Sequence, residues 1–179
     1  MSELTETRTL AAAEDLAMRI GCKADDGKLL LSLRLASDRF AGQSHNPIAK
    51  VEHEEIVLDA TGTRSVRLPL WPVLAVDRVL LSGTLVDFEW SADGMLRFER
   101  PLPDRWRALM VTYSHGYDPI PGDVSDAVLE QAAAIYQVLP GLASYTTGAE
   151  SRTYSLALSV GTSAAWSAAV DKYRIGLAS

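Results

Sequence analysis

Three side chains within five residues have the chemistry of a hydrolytic triad: Ser114, His115 and Asp118. A hydroxyl, an imidazole and a carboxylate activate a nucleophile only when the three groups converge. Ser114 and His115 follow an apolar, β-branched run, and adjacent residues of a strand point to opposite faces of the sheet. We therefore expect His115 to be a structural residue that hydrogen-bonds a turn, and not part of a catalytic site.

The sequence gives little support to a metal, phosphate or cofactor site. No two of its three histidines, at positions 45, 53 and 115, stand at ligand spacing, and a single cysteine, Cys22, excludes a thiolate zinc cluster. Glu52, Glu54 and Glu55 beside His53 would suit a metal, but an exposed strand explains them better. The chain has no P-loop, nucleophile elbow, dinucleotide-binding glycine pattern or H-E-x-x-H motif. We expect neither enzyme activity nor a cofactor.

Composition predicts one folded domain over residues 1–179. The chain is 47% hydrophobic, which is enough for a sizeable core. No apolar run reaches the roughly 18 residues of a membrane span, and the first ten residues are too polar for a secretory signal. The net charge is −6 and the sequence pI is about 5.0. Tight binding to nucleic acid usually needs a basic surface, so this class of partner is disfavoured.

A strand, a rigid turn and a helix must position the residues around His115. Ala108–Tyr113 is apolar and β-branched, which predicts a strand, and apolar residues at helical spacing predict a central helix over residues 123–139. The turn between them needs a glycine with φ > 0, prolines without an N–H, and a carboxylate that caps the helix. We call this turn the structural elbow, and it consists of Gly116, Tyr117, Pro119, Pro121 and Asp123.

Helical and strand-like periodicities divide the rest of the chain. Residues 1–47 are predicted to form two helices, the second with Leu30 on its buried side and Gly42 at its end. Residues 50–117 alternate with period two between close turns, which predicts about six short strands. A last helix is predicted over residues 163–176. The fold class is therefore α+β: a helical bundle of about four helices with an inserted small antiparallel β-sheet or partial barrel.

Charged residues are distributed unevenly along the chain. Residues 108–151 contain no Lys or Arg, whereas four arginines stand just before them, at positions 97, 100, 105 and 107. A solvated loop in which the arginines pair with Glu99 and Asp104 explains them, and we favour it. The alternative is a basic patch that meets an acidic neighbour.

Four short motifs occur in a characteristic order. They are LPLWPV at 68–73 followed by Val76 and Val79, FEWSADGML at 88–96, VTY and HGY within 111–117 followed by Pro121 and Val124, and AVDKYR at 169–174. In this order and spacing they resemble the head-to-tail adaptor, or head–tail connector, proteins of long-tailed bacteriophages. Segment 141–163 departs from the family pattern, because it is longer and more polar than expected.

The resemblance implies a structural protein of the virion. It implies a dodecameric or similar ring in the neck, with the portal protein on one side and a stopper or tail-terminator protein on the other. Double-stranded DNA would pass through the lumen without sequence-specific binding, and the protein would be made in the host bacterial cytoplasm. Asp126 and Glu130 would then form an acidic lumen face that repels the duplex. Two other classes stay open: a tail-terminator or tail-completion ring protein, and a small enzyme or ligand-binding module.

Segment 141–163 is predicted to be an extended docking arm. It is rich in Ser, Thr, Gly and Tyr, and residues 152–160 alternate like a strand with no obvious partner in its own sheet. Addition to the sheet of a neighbouring subunit would satisfy its backbone groups. The four tryptophans, at positions 71, 90, 106 and 166, are predicted as core or interface anchors. Residues expected to contact the portal or a neighbouring subunit are Tyr145, Arg152, Tyr154, Leu156, Leu158 and Trp166.

Overall fold

The chain divides into two compact units, one helical and one built from strands. The computed structural model describes four stretches, the second and third by their backbone alone: residues 9–137, 144–147, 150–153 and 162–176. Within these stretches, the helical unit contains the residues up to His45 and Ile120–Arg174, and the β unit contains Asn46–Pro119, Ile175 and Gly176. The β unit is thus inserted along the chain between two parts of the helical unit. The predicted α+β class with an inserted β-region is confirmed.

Four helices make up most of the helical unit. They are α1 (Ala13–Ile20), α2 (Gly27–Ser44), α3 (Gly122–Gln137) and α4 (Ala164–Tyr173). The α2 and α3 helices share the most extensive contact, and α1 and α4 each pack against both of them. The predicted number of about four helices is confirmed, and the central and last helices lie where their periodicity places them.

The longest helix, α2, differs from its predicted form at two residues. Gly42 lies inside the helix, which ends only at His45, where φ becomes 53°. Leu30 is 45% exposed, so its predicted place on the buried side is wrong. The buried face is formed by apolar residues three or four apart: Leu29, Leu33, Ala36 and Phe40.

Trp166 fixes α4 against α2. Its side chain is 1% exposed, and its ring meets the Phe40 ring edge-on, with centroids 5.2 Å apart. The indole Nε1 donates a hydrogen bond of 2.7 Å to Gln43 Oε1, so the polar atom is satisfied as well. The prediction that Trp166 contacts the portal or a neighbouring subunit is wrong, because this residue belongs to the core of its own unit.

Two antiparallel sheets make up the β unit. The strands are β1 (Val51–Thr61), β2 (Ser65–Arg67), β3 (Val73–Leu81), β4 (Thr84–Leu85), β5 (Glu89–Trp90), β6 (Met95–Arg97) and β7 (Asp104–His115). One sheet has the order β1-β7-β3-β4 and the other β2-β6-β5. The strand predicted over Ala108–Tyr113 is therefore longer at both ends. Its N-terminal extension includes Arg105 and Arg107, which were expected in a loop.

The core of the β unit lies against one face of the four-stranded sheet. Val111 and Leu109 of β7 are fully buried, as is Val79 of β3. Leu96, from the middle strand of the three-stranded sheet, and Phe98 complete the same cluster. Alternate residues of each strand thus face inward, which is the pattern expected of a sheet covered on one side.

The structural elbow closes the β unit where β7 ends. Gly116 has φ of 95°, and a Cβ atom there would lie 2.5 Å from the carbonyl oxygen of Ala49. Gly116 N donates to Pro72 O at 2.9 Å, and Tyr117 N donates to Ile48 O at 2.8 Å. The predicted positive φ is confirmed, and the close approach of a second backbone gives an additional reason for glycine.

Substitution of Gly116 should destabilise the fold through both causes. We expect Gly116→Ala to lower the free energy of unfolding by about 2–4 kcal/mol, measured by urea denaturation. Gly83→Ala is the matched control, since Gly83 has φ of 85° but open space around it. That variant should lose only about 1 kcal/mol from backbone strain. Equal losses in the two variants would show that the approach to Ala49 carries no cost.

Candidate functional site

The triad-like residues do not converge. His115 is 1% exposed, and its Nε2 lies 2.7 Å from Glu54 Oε2 on the neighbouring strand β1. Ser114 Oγ instead accepts a hydrogen bond from the backbone N of His53, at 3.1 Å. The predicted structural use of His115 agrees with its burial, but its partner is Glu54 and not a group of the elbow. Nothing in this arrangement brings a base to the Ser114 hydroxyl.

His115 and Glu54 belong to a polar cluster at one end of the β-unit core. The rings of Tyr113 and His115 lie against each other in a tilted arrangement, with their centroids 5.1 Å apart. Burial, and secondarily the Glu54 carboxylate, raise the pKa of the Tyr113 phenol well above its usual range. The cluster places a phenol and an imidazole beside one carboxylate, and it fixes strand β1 to the end of β7.

Neither a metal cluster nor a membrane-spanning helix is found in the described part of the chain. Among the described residues, no three His, Cys, Asp or Glu side chains are close enough to hold a metal ion. No helix within those residues is both long and apolar enough to cross a membrane.

Asp123 has a different role from the predicted helix cap. The α3 helix begins at Gly122, and the Pro121 carbonyl accepts the first hydrogen bonds, from Val124 N and Ser125 N. The Asp123 carboxylate accepts a hydrogen bond from the adjacent Val124 N at 3.1 Å, and two more from the end of α4: from Lys172 Nζ at 2.7 Å and Tyr173 Oη at 2.8 Å. The end of α4 is thus tied to the first turn of α3. The other elbow proline, Pro119, follows a cis peptide bond.

The acidic face predicted on α3 is present as a pair of exposed carboxylates. Asp126 and Glu130 stand one turn apart and are both exposed. Glu130 Oε2 accepts a hydrogen bond of 3.0 Å from Ser163 Oγ, the residue that caps α4. That this face lines a lumen stays a prediction.

Part of the predicted docking arm forms a hairpin. Strand β8 (Ser144–Thr147) pairs antiparallel with β9 (Glu150–Thr153), and Tyr145 is opposite Arg152. The hairpin was not predicted, although two Ser/Thr-rich quartets around Gly148-Ala149 are a hairpin signal. For β9 the strand partner comes from the same chain. Tyr154, Leu156 and Leu158 lie outside the described residues, so their docking stays a prediction.

The outer face of the four-stranded sheet carries an apolar row. The register places four residues side by side, one from each strand: Val57, Met110, Leu80 and Leu85. The end members are 42% and 66% exposed. The next row is polar, and there Arg78 Nε donates to Thr112 Oγ1 and Arg78 Nη2 donates to Glu55 Oε2. An apolar stripe with a polar border is typical of protein interfaces. This apolar row was not predicted, because its residues are of the same apolar types that fill a core.

Trp106 is the most exposed large apolar side chain of the β unit, at 84%. The register between β1 and β7 shifts just beside it, between Leu58 and Ala60. Arg107 adopts φ of 48°, and its backbone N donates to Asp59 Oδ1 at 2.7 Å. A β-bulge of this kind redirects a side chain, and here it turns the indole into solvent. The other two tryptophans of this unit are less exposed: Trp71 is half-buried below Arg67, and Trp90 is 42% exposed.

The arginines around Trp106 do not form the ion pairs that we favoured. Among the described residues, no arginine at position 97, 100, 105 or 107 lies within salt-bridge distance of a carboxylate. Arg105 donates to the Ser82 hydroxyl at 3.3 Å. The predicted pairing with Glu99 and Asp104 is therefore wrong.

Comparison with solved structures identifies the fold. No protein-family model and no curated protein matches the chain. Over 99% of its length, it matches a chain in the neck of a native gene transfer agent (GTA) particle computed with C12 symmetry, at a TM-score of 0.62 and 18% identity. A chain in the neck of the empty GTA particle, computed with C6 symmetry, gives 0.59 and 17%, and one in the native GTA virion gives 0.57 and 21%. In each case 96% of the matched chain is covered. The chain has the fold of a phage-like neck protein.

The neck fold agrees with the resemblance to head-to-tail adaptors that the sequence motifs carry. The likeness extends over the whole chain, so it includes both the helical and the β unit. At 17–21% identity it concerns the fold, and not the role of any single residue.

The hydrogen bonds from Lys172 and Tyr173 to Asp123, which we call the latch, should contribute measurably to the free energy of unfolding. Its side chains are partly exposed, so we expect Asp123→Ala to cost only about 1 kcal/mol of unfolding free energy. Asp126→Ala is the matched control, because Asp126 lies one turn along the same helix and is exposed. Denaturation of both variants measures the difference. An unchanged Asp123→Ala variant would show that these hydrogen bonds contribute nothing to the attachment of α4.

The same latch should show a pH dependence of known sign. Burial opposes ionisation of Asp123, but hydrogen bonds from Lys172 and Tyr173 outweigh it and hold the pKa of this carboxyl below its usual value. Stability from a depressed carboxyl pKa is present above the unfolded pKa of about 3.9 and is lost as the pH falls through the folded pKa. The stability difference between wild type and Asp123→Asn should therefore shrink below about pH 4. A difference that stays constant from pH 6 to pH 3 would contradict this.

Proposed function

We propose that this chain is a structural subunit of the neck of a phage-like particle, and that twelve copies form a ring between the portal and the tail. The observation that carries the proposal is the full-length likeness to a chain in a native particle neck computed with C12 symmetry. The motifs of the elbow and of the closing helix support the same family. The ring would contact the portal protein on one side and a stopper or tail-terminator protein on the other.

The surface chemistry supports a structural role better than a catalytic one. The Ser114 hydroxyl is engaged by a backbone N–H, and the described acidic residues form no metal-binding group. The apolar row on the outer sheet face and the exposed Trp106 are instead features of surfaces that bind proteins.

A neck subunit must let double-stranded DNA pass without retaining it. Retention comes from Lys and Arg that neutralise phosphates. The chain has a net charge of −6, and α3 carries Asp126 and Glu130 without a single Lys or Arg. We propose that this helix face borders the lumen, where it repels the duplex. The protein would be made in the host cytoplasm and would reside in the virion neck.

The ring and its position can be tested together. Purified protein would be mixed with the portal protein of the same particle and examined by negative-stain electron microscopy. We expect a ring of twelve subunits on the portal. A ring that forms only on tail tubes would identify a tail-terminator or tail-completion protein instead, and absence of any ring would reject the proposed function.

We further propose that residues 141–163 dock the subunit onto the portal or onto a neighbouring subunit. If the segment serves docking alone, replacing Tyr145–Leu158 with a Gly-Ser linker of equal length should leave the unfolding transition of the two units unchanged. Portal binding, measured by sedimentation, should be lost. A variant that still binds the portal and completes particles would contradict the docking role.

A further inference from the structure

An indole that is 84% exposed and is directed outward by strained backbone indicates an anchor for a partner. Arg107 is a non-glycine residue with positive φ, which costs free energy, and Asp59 holds it in place. Burying a tryptophan removes about 150–250 Å² of surface from water, so leaving Trp106 exposed sacrifices a large stabilisation. The chain therefore maintains an unfavourable local structure that presents Trp106 to solvent.

The helical unit contains a groove of suitable size. It has a volume of about 500 Å³. Its lining combines aliphatic, aromatic and charged side chains: Arg19, Ile20, Glu130, Ala133, Tyr136 and Gln137. Ile20, Ala133 and Tyr136 offer an apolar surface against which an indole ring can pack. Trp106 of the same chain does not fill this groove, because its side chain is exposed.

We propose that Trp106 of one copy inserts into this groove on the next copy, and that this contact joins neighbouring subunits. The inference rests on the proposed ring, and it adds the surfaces that meet. Trp106 is on the β unit and the groove is on the helical unit, so the interface joins two different surfaces and is heterologous. A row of subunits joined by such an interface has one unused surface at each of its two ends. Repeated addition closes the row into a ring when the rotation between neighbouring subunits allows it.

The charges around the two surfaces are complementary. Arg105 and Arg107 flank Trp106, and no described carboxylate pairs with them in their own chain. On the α3 side of the groove, Glu130 and Asp126 are exposed and no base is present on that helix. The bases near the groove lie on the other helices: Arg19 on α1, and Lys28 over the Tyr136 ring on α2. If Arg105 and Arg107 of one copy lie along α3 of the next, they meet the carboxylates of Glu130 and Asp126. This pairing fixes the orientation in which the indole enters the groove.

The single native cysteine allows the contact to be captured in the purified full-length protein. Cys22 is partly exposed and lies beside the Tyr136 side chain of the groove. In Arg105→Cys, a short bismaleimide should link the introduced thiol of one copy to Cys22 of the next and produce a ladder of dimers, trimers and longer chains. The Arg105→Cys variant with Cys22→Ala should stop at dimers, and Ser65→Cys, which places the thiol on the other sheet, should give far less product. A ladder that is equal in the Ser65→Cys control, or no ladder at all, would overturn the proposal.

A charge exchange tests the orientation independently. Trp106→Ala should weaken association of subunits by at least about 30-fold, measured by sedimentation or by ring formation on the portal. Arg107→Glu and Asp126→Arg should each weaken it, and the double variant should recover most of the loss. The side chains of Arg105, Trp106, Arg107 and Asp126 are exposed, so their substitution should not change the unfolding transitions.

The outcomes separate this inference from the proposed function. If wild type and Trp106→Ala form rings on the portal equally well, the ring stands and the Trp106 contact is wrong. If the two single charge variants lose assembly and the double variant does not recover it, the pairing of Arg107 with Asp126 is wrong. If wild type forms no ring under any of these conditions, the neck function itself is rejected, and the contact with it.

Discussion

The approach of two backbones at Gly116 is the constraint on which the β unit depends. A Cβ atom on residue 116 would lie 2.5 Å from the Ala49 carbonyl oxygen, so no side chain fits there. The φ of 95° also excludes most residues other than glycine. The hydrogen bonds of Gly116 N and Tyr117 N then attach the end of β7 to the loop before β1 and to the segment before β3. Strand β7 is the central strand that pairs with both β1 and β3. These bonds therefore hold the end of β7 against both of the segments that lead into its partner strands.

The described surfaces of this chain present groups that suit contact with other macromolecules. The polar residues that look reactive in the sequence are used internally: His115 by Glu54, Ser114 by the His53 backbone, and Asp123 by the end of α4. The unused groups are of a different kind, an apolar row, an outward indole and arginines without a salt-bridge partner among the described residues. These are groups that gain free energy only when another macromolecule covers them. The ring proposed above would need surfaces of this type.

Local patterns in the sequence predicted most of the elements and failed where tertiary contacts decide. Helical periodicity located all four helices, and Gly116 was recognised from its place between a strand and two prolines. Gly42 was misassigned because α2 continues through it, supported by burial on both sides of the glycine. Trp166 and Trp106 have the same side chain, yet one is 1% and the other 84% exposed. Only the Phe40 and Gln43 contacts of the former and the β-bulge beside the latter distinguish them, and neither is visible in the spacing of residues.

The hydrogen bond from Ser163 to Glu130 affects how freely the segment between Gln137 and Ser163 can change its length in evolution. Segment 138–162 connects Gln137, the last residue of α3, to Ser163, and this bond places Ser163 beside Glu130, seven residues before Gln137. Along a helix that separation is about 10 Å. Both ends of the segment are therefore fixed close together, and doubling its length would add only about 0.6 kcal/mol of closure entropy. Insertions and deletions in this segment should therefore cost the helical unit little stability.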